Sequence, residues 1–61
     1  MKIGDLVIRN YTSPFKRGAK GIVLYLYTDL KYGECAMVYF FDLKMITEIR
    51  VKDLDIVSES P

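Results

Sequence analysis

Two stretches of this chain are apolar at consecutive positions: Ile22-Val23-Leu24-Tyr25-Leu26-Tyr27 and Cys35-Ala36-Met37-Val38-Tyr39-Phe40-Phe41. A strand that covers a small core with one face and meets water with the other alternates apolar and polar residues. Neither stretch alternates, so the chain has more apolar strand surface than one small core covers. Shorter strand signals flank them, separated by turn formers and without helical periodicity. Leu6-Val7-Ile8-Arg9 follows Gly4-Asp5, a fourth strand runs near Ile46 to Val51, and Asp55-Ile56-Val57-Ser58 closes the chain. Residues 10–18 form an irregular loop around Pro14, and Thr28 to Gly33 a hairpin loop in which Gly33 supplies positive φ. Asp42-Leu43-Lys44 is a second connection, Lys52-Asp53-Leu54 a single 3₁₀-type turn, and residues 59–61 are expected to fray. The pattern predicts one all-β domain of about five antiparallel strands over residues 1–61.

Register follows from the two-residue period. Glu48 and Arg50 must face solvent, which turns Ile49 and Val51 inward. A consistent core is then Val7, Ile22, Leu24, Leu26, Ala36, Val38, Phe40, Ile49, Val51, Leu54 and Val57. This leaves Tyr25, Tyr27, Met37, Tyr39 and Phe41 outside, with Val23 as a further extension. The opposite register buries the tyrosines, whose hydroxyls then need partners inside.

Size sharpens the point. A chain of 61 residues hides only about 60% of its unfolded surface, and such domains are commonly stabilised by disulfides, a metal or a partner chain. Cys35 is the only cysteine and histidine is absent, which excludes an internal disulfide and a zinc site of Cys and His ligands. Packing and self-association are left as sources of stability. No stretch reaches the roughly 18 apolar residues of a membrane helix, and Met1 to Asp5 has no signal-peptide core, so a cytoplasmic setting is expected. The net charge of +1 divides unevenly, with six basic against two acidic groups in residues 1–33 and three against six in residues 34–61.

The order Gly4-Asp5-Leu6-Val7, Gly18…Gly21-Ile22-Val23, Ala36-x-Val38-x-Phe40 and Val51-x-Asp53-Leu54-x-x-Val57-Ser58-Glu59 resembles the small stand-alone SH3-like barrels of bacteriophages and bacteria, similar in architecture to KOW and translation-type SH3-like domains. The resemblance implies five strands, a 3₁₀ turn before the last, and a phage or bacterial source. It implies no single activity, because such barrels serve nucleic-acid binding, peptide binding and assembly alike. The absence of tryptophan and of a full KOW motif separates this chain from many relatives.

Two surfaces are candidates for function. The first is the face of Tyr25, Tyr27, Met37, Tyr39 and Phe41, rich in side chains that combine large apolar area with polar tips. It suits a homo-oligomer or another protein partner, unless the N-terminal segment or the 10–20 loop covers it. The second is the loop holding Tyr11, Phe15, Lys16, Arg17 and Lys20, where cations can grip phosphates and rings stack on bases. The bland alternative there is a solubilising loop with Phe15 tucked onto the barrel. Cys35 reads as a buried or interfacial apolar residue. Without histidine or a Gly-rich phosphate loop, no catalysis, cofactor or metal is expected.

Overall fold

The computed structural model describes residues 1–10 and 18–61. Strands β1 (Leu6–Arg9), β2 (Lys20–Asp29), β3 (Gly33–Phe40), β4 (Met45–Arg50) and β5 (Leu54–Ser58) form one antiparallel sheet in the order β4-β3-β2-β1-β5. A 3₁₀ turn, Val51–Asp53, precedes β5. The chain is therefore all-β, with the strand number and the turn read from its sequence. The sheet is not closed: β4 and β5 are its two edges. No helix among the described residues is long and apolar enough to cross a membrane.

Local chemistry explains the turns. Asp29 Oδ1 accepts hydrogen bonds from the backbone N–H of Lys31 at 2.7 Å and of Tyr32 at 3.0 Å. That carboxylate fixes the β2–β3 connection, and Gly33 takes φ +77° where the chain re-enters the sheet, a conformation glycine adopts without a Cβ clash. The loop is shorter than expected, because β2 continues to Asp29 and β3 begins at Gly33.

The inner face holds Val7, Ala19, Val23, Ala36, Val38, Phe40, Ile49 and Leu54, with Met1, Leu26 and Val51 packed against them. Phe40 is the largest fully buried side chain among the described residues, and burial of such a side chain stabilises by about 1.5–3 kcal/mol. The expected phase of β3 is the observed one. That of β2 needs correction in its first half: Val23 is buried, Leu24 is exposed, and Ile22 turns to the outer face opposite Tyr39. The cause is a β-bulge. Val23 pairs with Val38 and Tyr25 with Met37, so Leu24 is an extra residue opposite no partner, and the alternation of β2 reverses there. Beyond it Leu26 pairs with Ala36 and returns to the inner face.

A second irregularity corrects Val57. Leu6 pairs with Ser58 and Val7 with Ile56, which leaves Val57 between them, and at 49% exposure it is no core residue. β5 is an edge strand, so nothing lies beyond it to cover that side chain.

Among the described residues, two charged ones are buried that the pattern did not single out. Arg9 lies inside with its guanidinium carbon 5.7 Å from the centre of the Phe40 ring, a geometry in which the ring face attracts the cation. Asp5 is fully buried and ties both ends of the chain together. Its Oδ2 accepts from the Lys2 backbone N–H and its Oδ1 from that of Ser60, each at 2.7 Å. Lys2 Nζ donates to the Ser60 carbonyl at 2.9 Å. These bonds hold Ser60, although residues 59–61 belong to no strand. They also favour the ionised carboxylate, so the Asp5 pKa lies below its usual value, with the Ser60 bond the largest cause, then the Lys2 backbone bond, against an opposing contribution from burial.

Candidate interaction face

Directly opposed residues of an antiparallel pair project to the same side of a sheet, so the register assigns the outer face residue by residue. One cross-sheet row runs Ile46–Tyr39–Ile22–Leu6 over β4, β3, β2 and β1. The next runs Glu48–Met37–Tyr25 and the third Arg50–Cys35–Tyr27. On the other side of the first row, Lys20 stands opposite Ile8, and the Lys20 carbonyl accepts from the Phe41 backbone N–H at 3.0 Å. Four strands thus contribute to one continuous apolar block.

The bulge at Leu24 is what assembles this block. Without it, Val23, Tyr25 and Tyr27 would share a face, and Val23 could not enter the core while the tyrosines pointed outward. With it, the first half of β2 sends Val23 in and Ile22 out, and the second half keeps both tyrosines out. The close approach of β2 and β3 depends on Gly21, where a Cβ would lie 2.5 Å from the Tyr39 carbonyl oxygen and 2.6 Å from Val38 Cγ1.

All four strand residues named for this face, Tyr25, Tyr27, Met37 and Tyr39, stand on it, with Phe41 immediately after β3. Tyr25 is 58% exposed and Phe41 44%, whereas Tyr27, Met37 and Tyr39 are half-buried by their neighbours. The rings support one another. Tyr25 and Tyr27 stack with centroids 6.1 Å apart and planes 26° apart, and Tyr39 meets Phe41 edge-on at 5.9 Å. The Tyr27 hydroxyl is buried without a hydrogen-bond partner among the described residues. Cys35 is buried between Tyr27 and Arg50 in its row.

Ile46, Ile22 and Leu6 belong to this face and were missing from the expected set. Ile46, 55% exposed, shares the parity of Glu48 and Arg50, so the alternation that placed those charges outside already carried its signal. Ile22 needed knowledge of the bulge. Beside the face, an open hollow of about 410 Å³ lies against Tyr32, Cys35, Glu48, Ile49, Arg50 and Asp53. Its Arg50 Nε donates to Asp53 Oδ2 at 3.1 Å, a partly exposed pair of small energetic weight. Asp53 and Asp55, adjacent in sequence pattern, go separate ways: Asp55 Oδ1 accepts from Asn10 Nδ2 at 3.1 Å.

Of the alternative basic-aromatic site, Tyr11, Phe15, Lys16 and Arg17 lie outside the described residues. Lys20 opens β2 and is exposed. Comparison with protein-family models, with curated proteins and with solved structures finds no match.

Proposed function

We propose that this chain is a non-enzymatic protein-interaction or assembly module of SH3-like barrel architecture, and that the outer face centred on Tyr25, Tyr27, Met37, Tyr39 and Phe41 is its contact surface. The observation that carries the reading is the four-strand apolar block, extended by Ile46, Ile22 and Leu6. Scattered apolar side chains are ordinary on a protein surface, but a contiguous block of several marks a place where another surface docks. Its composition is that of an interface centre, aromatic around the single methionine Met37, with charge confined to its margin. The strand order, with β5 beside β1 and a 3₁₀ turn before it, supports the barrel reading.

The test is the double variant Tyr25→Lys with Tyr39→Lys, compared with the native chain for binding of an apolar fluorescent dye and for sedimentation. The expected result is dye binding by the native chain that the variant loses, with the folded circular dichroism retained. Equal dye binding by both, or none by a native chain that sediments as a monomer, refutes the reading.

A further inference from the structure

The inference rests on the outer face being a contact surface, and it names what that surface receives at its β4 margin. Along an antiparallel strand, successive residues direct their backbone N–H and C=O to one neighbour and then the other. The Phe41 N–H donates to the Lys20 carbonyl of β2 at 3.0 Å. One residue earlier Phe40, and with it Val38 and Ala36, therefore direct theirs to β4, where their partners are Met45, Thr47 and Ile49. Ile46 and Glu48 are left with N–H and C=O turned away from β3, and Arg50 with its N–H. No strand among the described residues lies on that side.

Such a row is a template for a further strand, and natural edges are commonly blunted by proline, lysine, a bulge or a charge pointing inward. β4 reads Met-Ile-Thr-Glu-Ile-Arg, without proline or lysine, and its register with β3 is unbroken. Its inner side, Met45, Thr47 and Ile49, is uncharged. β5, the other edge, is shorter and bulged against β1. Apolar side chains of β4 are bare on both sides of the sheet, Met45 at 48% and Ile46 at 55% exposure, and one added strand covers both.

The charges of β4 choose the occupant. Residues directly opposed across strands share a side and interact as pairs. The exposed Glu48 carboxylate has no partner among the described residues, so it calls for a cation opposite. Arg50 engages Asp53 through its Nε alone, and a guanidinium has further donors for a second carboxylate. An apolar residue opposite Ile46 extends the row Ile46–Tyr39–Ile22–Leu6 by one strand. The hollow of about 410 Å³ lies against Glu48, Ile49 and Arg50 and gives room to the residue opposite Arg50. This chain's own edges do not supply the pattern. The near-complete antiparallel overlaps of β4 with a second β4 set Glu48 opposite itself or opposite Ile46, and β5 carries no cation.

We infer that the β4 edge accepts an extended segment of another protein, antiparallel to β4, whose alternate residues read acidic, basic and apolar from its N-terminal end. Main-chain bonds to Ile46, Glu48 and Arg50 hold the segment, and the three side-chain pairs set its register.

The experiment is an NMR titration of the isotope-labelled chain with the capped peptide Asp-Thr-Lys-Val-Val-Thr, to about 1 mM. The largest shifts are expected at the Ile46, Glu48 and Arg50 amides. N-methylation of the peptide's lysine removes a donor aimed at β4 and abolishes binding, whereas N-methylation of the threonine before it, whose N–H points away, leaves binding in place. Glu48→Lys weakens binding roughly fivefold or more, and a peptide with glutamate in place of its lysine restores it. Glu48 is exposed, and circular dichroism checks that the variant is folded. Absent shifts, equal loss on either methylation, or a charge swap that restores nothing overturns strand addition. If the native chain then still binds the dye and Tyr25→Lys with Tyr39→Lys loses it, the contact surface stands with another kind of partner. If a monomeric native chain binds neither peptide nor dye, both readings fall. β4 amides that shift with the chain's own concentration instead give the edge to a second copy and overturn the inference.

Discussion

Gly21→Ala isolates the packing on which the sheet depends. Gly21 pairs with Phe40, and its backbone is not in the left-handed region, so alanine meets no conformational penalty there. Chain entropy alone predicts stabilisation of about 0.4–1 kcal/mol, because alanine restricts the unfolded chain. The structure predicts the opposite. The new Cβ would sit 2.5 Å from the Tyr39 carbonyl oxygen, 2.6 Å from Val38 Cγ1 and 3.1 Å from the Tyr39 carbonyl carbon. Two of those three atoms are backbone of a central strand and cannot swing aside. Overpacking of this kind costs about 1–3 kcal/mol, so the clash outweighs the entropic gain and a net loss of about 1–2 kcal/mol is expected. For a domain of this size that lowers Tm by about 4–8 °C per kcal/mol. The assay is thermal and urea unfolding at low protein concentration, with Gly33→Ala alongside. Gly33 has open space but φ +77°, so its variant measures left-handed strain, about 1–2 kcal/mol, without a clash. A Gly21→Ala chain as stable as the native one, or more so, refutes the close approach of β2 and β3.

The bulge predicts unequal neighbours. Val23→Ala removes a fully buried side chain and should cost about 2 kcal/mol, against less than about 1 kcal/mol for Leu24→Ala; the reverse order in urea midpoints would show that β2 runs without the bulge. Asp5 predicts an acid limb. Its folded pKa is lowered, so it binds its proton more readily in the unfolded chain, and its contribution is present above the unfolded value and lost as pH falls through the folded one. Asp5→Asn should lower stability at neutral pH and flatten the loss between about pH 4 and the acid end of the titration; a variant with the native pH profile would remove Asp5 from the link between the termini.

Reading the residues in order went far along β3 and β4 and stopped at β2. In β3 the small Ala36 with Val38 and Phe40 can only be the core side, and Glu48 and Arg50 fix β4, so the outer position of Met37 and Tyr39 was legible. Tyr25 and Tyr27 were placed on the correct side with the wrong companions. A strand apolar on both faces gives alternation nothing to distinguish, and a one-residue bulge leaves no mark in such a run.

What the amino-acid order determined by itself is the all-β class, the succession of strands and turns, the 3₁₀ turn before the last strand, and a tyrosine-rich surplus of apolar surface. Those depend on local chemistry: turn residues, the two-residue period, charges that must meet water. Only the folded arrangement decided which residues in each half of β2 turn inward, that Asp5 joins the two ends of the chain, that Arg9 lies over Phe40, and that Ile46, Tyr39, Ile22 and Leu6 form one row. Each of these joins residues far apart in the chain, and pairing across strands, which local sequence does not encode, brings them together.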